Sequence, residues 1–321
     1  MTMKKQAFML KPYISETIWG GRRLINEYGI ETEKSNAAEG WMLSALHNGP
    51  SLVYGGEANG MEFYKLLEEN KDWWGSNAAS FKDFPILIKF IDAMDNLSVQ
   101  VHPTKEYCEK TGKGRSKTEC WYILDCDEDA QLLLGFKDKI TPEEFRESVE
   151  KGNLTDYTGA VKVHKGDFFF IDSGTLHAIC KGVLLAEVQE SSDTTYRIFD
   201  YNRVGKDGKP RELHINDALA VTKLEKYSQP DFCKGETLYN DNKKLLAKCD
   251  LFTVFNLKVK GEYEDNCDEK SFVSLLILEG EGELLCAGEK LSFKKGDSIF
   301  IPAGTGDYSI SGNTQILETR I

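Results

Sequence analysis

The chain has 321 residues, 40% of them hydrophobic and 29% charged, and 52 Asp and Glu against 40 Lys and Arg give a net charge of −12. At about 150 residues per domain this is enough for roughly two domains, and the composition is that of a globular protein rather than a disordered one. The acidic balance excludes a general nucleic-acid binder, and any anionic substrate must be met by a local basic pocket.

In chain order, the first predicted helix covers 61–69, where Phe63, Leu66 and Leu67 fall at i, i+3, i+4 spacing. Trp73 and Trp74, just beyond it, read as core residues. Strands follow at 84–90, 97–101, 121–124 and 131–134. Thr141-Pro142-Glu143-Glu144 is a capping box with proline at the first helical position, and it predicts a second helix. Further strands are predicted at 160–163, 167–171 and 184–188, a third helix at 211–223, and then strands at 252–259, 272–278, 282–286 and 298–301. Gly280-Glu281-Gly282 reads as a hairpin turn, and Asp125-Cys126-Asp127-Glu128-Asp129 as a solvated acidic turn that lacks the spacing of a calcium loop. Many short strands at close spacing predict a mainly β protein built as a sandwich or barrel. Between 223 and 251 the pattern loses its periodicity and turns polar, which places a domain boundary there and divides the chain into 1–235 and 236–321.

The eight cysteines, at 108, 120, 126, 180, 233, 249, 267 and 286, form no Cys-x-x-Cys pair. That pattern argues for free or buried thiols in a reducing, cytoplasmic setting and against a thiolate zinc site. Ala7 to Leu10 is too short for a signal-peptide core, and no apolar run approaches the ~18 residues of a membrane span.

An internal repeat is the most informative feature. Lys165-Gly-Asp-Phe-Phe-Phe-Ile-Asp-Ser-Gly-Thr175 matches Lys295-Gly-Asp-Ser-Ile-Phe-Ile-Pro-Ala-Gly-Thr305 at seven of eleven positions, so the two halves read as copies of one fold. They diverge just afterwards, to Leu176-His177 in one and Gly306-Asp307 in the other, which makes the first copy the candidate metal binder. Upstream, Gln100 and His102 stand two apart on a predicted strand and so share a face, and Glu119 opens the next strand. Two imidazoles, a carboxylate and an amide make a plausible Zn²⁺ site, although iron or manganese also suits two histidines and a carboxylate. His47, His164 and His214 lie outside these motifs and read as ordinary hydrogen-bonded histidines.

Gly166, Gly174 and His177 resemble the second motif of the cupin family, with Asp172 at the family's proline, while the C-terminal copy keeps Pro302 but has Asp307 for the histidine. The resemblance implies two cupin-type jelly-roll barrels with a few short helices covering the N-terminal half. It narrows further: Gln100-Val-His102-Pro103, Lys117-Thr-Glu119, Gly174-Thr-Leu-His177-Ala178 and Gln189-Glu-Ser-Ser-Asp-Thr-Thr-Tyr196-Arg197-Ile-Phe-Asp200 are similar, in order and spacing, to the short bacterial form of the type I phosphomannose isomerases. Trp19-Gly20-Gly21, Glu39-Gly40-Trp41 and Pro210-Arg211-Glu212-Leu213-His214 extend the likeness along the chain. Larger members carry a substantial helical domain for which this sequence has no counterpart.

The resemblance implies reversible interconversion of mannose 6-phosphate and fructose 6-phosphate through a cis-enediol, with one Zn²⁺ held by His102, Glu119, His177 and Gln100. It also implies a monomer or weak homo-oligomer whose partner is a phosphosugar, with neither nucleic acid nor membrane. Arg197 is the expected catalytic guanidinium, and Lys117, two residues before Glu119, is expected to face the same cavity and handle a proton or bind an oxygen. Ser98 and Lys89 are the expected phosphate contacts; a Lys inside the apolar run 84–91 requires an anionic partner. Residues 105–117 carry five cations against two carboxylates and read as a basic loop, either solvated or steering substrate to the site. Two alternatives stay open: another cupin metalloenzyme such as a dioxygenase, with no use for Lys117 and Arg197 beside a phosphosugar, and a non-catalytic sugar-sensing cupin.

Overall fold

The computed structural model describes residues 3–205, 208–233 and 242–321, apart from the side chain of Phe232. The expected boundary between 235 and 236 lies outside the described residues. As the sequence predicts, the protein is mainly β, with short helices at Phe63–Glu69, Pro142–Glu150 and Ile215–Val221, the last starting four residues later than expected; the helices Arg23–Tyr28 and Lys105–Thr111 are additional. The capping box forms: Thr141 Oγ1 accepts from the Glu144 amide, and the Glu144 carboxylate accepts from the Thr141 amide. No helix among the described residues is long and apolar enough to cross a membrane.

Two antiparallel sheets hold the N-terminal half. The six-stranded one runs in the order Phe168–Ile171, Glu119–Cys126, Val183–Glu190, Ile86–Asp92, Glu39–Leu43, Tyr13–Ser15. The five-stranded one runs Tyr196–Phe199, Val99–Val101, His177–Ile179, Gln131–Phe136, Thr158–Lys162. They face each other as in a cupin, without closing into one continuous hydrogen-bonded barrel. The apolar part of the space between them is filled by Trp19, Ile91, Trp121, Ile123, Leu132, Leu134, Ile179 and Leu185. Helices Pro142–Glu150 and Ile215–Val221 cover the other face of the five-stranded sheet, burying Phe145, Ala218 and Val221 against Val99, Val101 and Phe136.

The C-terminal segment builds an eight-stranded sheet around Thr253–Cys267, Val273–Cys286 and Gly306–Arg320, and strands from the other end of the chain complete it. Phe8–Lys11 pairs with Ser298–Ile301 on one side and with Leu52–Tyr54 on the other. The largest apolar cluster lies between this sheet and the back of the six-stranded one, where Phe63, Phe84, Phe272 and Phe300 meet with ring centroids 4.9–6.1 Å apart. Trp73 and Trp74 are buried in the same cluster.

Gly280-Glu281-Gly282 is not a hairpin turn. It lies inside the strand Val273–Cys286, which continues past it with a register irregularity between Ile277 and Glu279. Gly280 has φ +80°, and a Cβ there would fall 2.0 Å from the Asn313 carbonyl oxygen. Glycine lets the long strand bend against its neighbour instead of reversing.

Candidate active site

Strand register sets the site. In the five-stranded sheet His177 pairs with Gln100, and Gln100 pairs with Arg197 on its other side, so three expected site residues form one cross-strand row. In the six-stranded sheet a second row runs Trp121, Glu187, Lys89, Trp41. Between them lies a cleft of about 220 Å³ whose walls include Ser98, Gln100, Lys117, Arg197, Lys89, Glu187 and Arg211.

His102, Glu119 and His177 converge beside it, against the cleft residues Lys117 and Gln100. One ligand atom from each lies within 4.8 Å of the others, an arrangement that could hold a metal ion. His102 Nε2 is 3.5 Å from Glu119 Oε2, His177 Nε2 is 3.6 Å from Oε1, and each of the three residues is at most 1% exposed. Each imidazole places Nδ1 2.9 Å from a backbone carbonyl, Thr194 for His102 and Thr175 for His177. A carbonyl only accepts, so Nδ1 carries the hydrogen and Nε2 presents its lone pair inward. Burial, helped by Lys117, pushes the pKa of His102 down to about 4, and burial likewise lowers that of His177, so both rings are neutral at pH 7.

Glu119 is held well below the usual carboxylate range despite its burial, chiefly because the Lys117 ammonium favours the charged form. Lys117 Nζ is 2.5 Å from Oε2, yet neither carboxylate oxygen has a well-formed hydrogen bond among the described residues. A buried, charged carboxylate short of partners beside two ligand-ready nitrogens is the chemistry of a divalent-cation site. The surrounding charges agree: Glu39, Glu119 and Glu187 outnumber Lys89 and Lys117 by one. Gln100 lies alongside, its amide nitrogen 3.2 Å from His177 Nε2 and its oxygen accepting from Ser98 Oγ at 3.2 Å.

Lys117 lies where the sequence predicts, 5% exposed, with Nζ also 3.2 Å from His102 Nε2 and 3.6 Å from Glu187 Oε1. Lys89 has the anionic partners its burial demands, Glu187 at 3.4 Å and Glu39 at 3.5 Å. Burial disfavours its charge, but the two carboxylates outweigh burial and raise its pKa. Sequence reasoning did not single out Glu187, whose only signal is one acid inside the apolar run 184–188. Trp121 Nε1 donates to it at 2.9 Å. Arg197 donates from Nη1 to the Glu212 carbonyl at 2.9 Å, and its buried Nε has no partner among the described residues. Burial, then the nearby Arg211, lowers its pKa.

The basic segment 105–117 is not a loop throughout. Thr104 caps the helix Lys105–Thr111, and beyond it Lys113 pairs with Asp217 and Arg115 with Asp83. The remaining histidines are ordinary: His47 packs at a tilt against Tyr64, His164 lies by Asp167, and His214 Nδ1 accepts from the Arg197 amide. The cleft walls come from the N-terminal half, and the C-terminal sheet contributes packing behind them.

The chain is similar to known proteins along nearly its whole length. Residues 7–145 match the family model "Phosphomannose isomerase type I, catalytic domain", and residues 241–321 match "Mannose-6-phosphate isomerase, cupin domain". Mannose-6-phosphate isomerase ManA of Bacillus subtilis is 34% identical, with 99% of this chain and 100% of the relative covered. The mannose-6-phosphate isomerase of Streptococcus mutans is 32% identical, with 98% of each covered. The crystal structure of the Bacillus subtilis mannose 6-phosphate isomerase superposes with a TM-score of 0.91 at 31% identity, covering 99% of this chain and 100% of that one. A zinc-bound mannose 6-phosphate isomerase at 18% identity shares the fold, with a TM-score of 0.77 over 98% of both chains. The chain belongs to the type I phosphomannose isomerase family.

Proposed function

We propose that the protein is a zinc-dependent aldose–ketose isomerase that interconverts mannose 6-phosphate and fructose 6-phosphate. The observation that carries this reading is the buried His102–Glu119–His177 triad beside the cleft, with Lys117 against it and Arg197 in the same cross-strand row as His177. Zinc suits two neutral imidazoles and a carboxylate, with Gln100 as a fourth donor once its amide turns its oxygen inward. When bound, the metal supplies a Lewis acid that polarises the sugar carbonyl and stabilises an enediolate.

The chain's own groups do the rest. Arg197 places a permanent positive charge where negative charge develops as the proton moves between C1 and C2. Lys117 Nζ, one hydrogen bond from the metal ligands, donates to a sugar oxygen or relays a proton through Glu187. Trp121 and Glu187 fix the wall against which the sugar lies, and Ser98 offers a hydroxyl to it. The phosphosugar is the partner, and the eight free thiols suit a reducing cytoplasm. The test is a coupled assay of fructose 6-phosphate formation from mannose 6-phosphate, before and after chelation and with Zn²⁺ restored. Activity lost to the chelator and recovered with zinc supports the reading. No turnover by folded, zinc-loaded protein refutes it, and oxygen uptake with bound iron would favour a dioxygenase instead.

A further inference from the structure

The turn that leaves strand Val183–Glu190 carries the Thr194 carbonyl, which faces Nδ1 of His102. The shape of that turn is fixed by a side chain that the chemistry above does not use. Gln189 is fully buried, and across the sheet it pairs with Glu119, so the two side chains leave the same face. Its amide nitrogen lies 2.6 Å from the Glu190 carbonyl and 2.6 Å from the Ser192 carbonyl. Carbonyls only accept, so the atom between them is the NH2 group, which gives one hydrogen to each. The same orientation leaves Oε1 buried without a partner among the described residues.

From there a chain of contacts runs to the imidazole. Ser192, 1% exposed, accepts the Thr194 amide on its hydroxyl at 3.2 Å and donates its own hydrogen to the Arg115 carbonyl at 3.1 Å. The Arg115 amide in turn donates to Thr194 Oγ1 at 3.1 Å. Thr194 is thus held at its amide and at its hydroxyl, and its carbonyl meets His102 Nδ1 at 2.9 Å. His177 is arranged differently: its carbonyl comes from Thr175, two residues before it and outside the Gln189 chain. An amide with an unsatisfied oxygen is a poor way to fill a core, and an aliphatic side chain of the same length would bury no unpaired atom of its own. What the amide adds is a pair of donors that pins two carbonyls of an irregular turn.

We propose that Gln189 is a positioning residue for His102. By pinning the turn at Ser192 it sets the Thr194 carbonyl, which keeps the hydrogen on Nδ1 and leaves the Nε2 lone pair to the metal site. The inference rests on the metal-site part of the reading above and on no step of the isomerisation.

The test is nitrogen-15 NMR of the histidine rings in metal-free protein near neutral pH, which reports which ring nitrogen carries the hydrogen, joined to zinc affinity by competition with a chromophoric chelator. The His102 signals are assigned by their loss in His102→Ala, and His177 is the internal control. In the wild type both rings are expected to carry the hydrogen on Nδ1; a wild-type His102 that carries it on Nε2 overturns the proposal. Gln189→Met keeps the side-chain length and removes both donors. It is expected to move His102 to a mixture of tautomers, to leave His177 unchanged, and to weaken zinc binding about tenfold or more. A folded Gln189→Met protein with the His102 tautomer unchanged, or with zinc affinity within about twofold of wild type, overturns the proposal. An equal shift at both histidines also overturns it, because that marks a loosened sheet. Should Gln189→Met fail to fold, Ser192→Ala, which cuts the chain at its next link, decides by the same readings. Wild type that binds zinc without isomerising mannose 6-phosphate sinks the isomerase reading and leaves this one standing. An active zinc enzyme whose Gln189→Met variant keeps the wild-type His102 tautomer does the reverse.

Discussion

Replacing Lys89 by Met tests whether the inner wall is held together by charge. The side chain is 8% exposed and stands 3.4–3.5 Å from Glu187 and Glu39, which are themselves 3% and 18% exposed. Methionine fills nearly the same volume, so the change removes charge rather than packing. Glu187 keeps the Trp121 indole and Lys117, whereas Glu39 keeps only the Trp41 indole at 2.7 Å among its contacts in this cluster. Leaving buried carboxylates without their cation costs about 3–5 kcal/mol. With an unfolding entropy of about 2 cal/mol/K per residue, a loss near 3 kcal/mol lowers the melting temperature of a chain this long by about 5 °C.

The pH dependence sharpens the test. In the wild type, Lys89 outweighs burial and holds Glu39 below the ordinary carboxylate range. The stabilisation from that pair is therefore complete above the unfolded carboxylate value of about 4.3 and is lost as pH falls through the lower folded value. In the variant, burial is opposed only by the Trp41 indole and the more distant Lys117 and raises the folded value, so the penalty is present at neutral pH and fades as the carboxylate protonates. Calorimetry of both zinc-loaded proteins should show the largest gap at pH 7–8, narrowing steadily toward pH 5. A gap below about 1 °C at pH 8, or one that does not change with pH, refutes the reasoning.

Arg197→Ala should lower kcat at least about a hundredfold while zinc content and melting temperature stay near wild type; loss of metal instead would mean that it acts through the metal site. Glu119→Gln removes the one charged ligand and should weaken zinc binding by about a hundredfold or more, read by competition with a chromophoric chelator. Because burial lowers the pKa of both histidines from the usual 6.5, the metal-free protein should lose stability as pH falls from about 6.5 toward 4, and added zinc should suppress that loss. Gly280→Ala sets a Cβ against the Asn313 carbonyl at positive φ and should destabilise by about 2 kcal/mol or more, seen as a lower melting temperature with the site's zinc affinity unaffected.

Much of the site was legible because its residues sit on local signals. Glu119 begins a strand, His102 directly follows one, and His177 follows a glycine turn repeated in the other half, so a short stretch of sequence is enough to place each. Lys89 announced itself as a charge in an apolar run and demanded a partner. The partners Glu39 and Glu187 were harder to see, because they come from strands far apart in sequence that pair only in the folded sheet. The same limit hid the strand Phe8–Lys11, which crosses to the C-terminal sheet, a pairing that no local period encodes. At Gly280-Glu281-Gly282 the local signal pointed the wrong way, since glycine serves a bend in a continuous strand as readily as a reversal. Arg211 lay within a quoted motif, but its place on the cleft wall depends on the buried carboxylate of Asp200, which accepts from its Nε.

The most direct measurement is a zinc titration into chelator-stripped protein, with isomerisation of mannose 6-phosphate and bound metal followed together. The account predicts that activity rises in proportion to bound zinc and stops at one equivalent per chain, and that His102→Ala neither binds that equivalent nor gains activity. Turnover in stripped protein, or zinc bound at one equivalent by the His102→Ala variant, would contradict it.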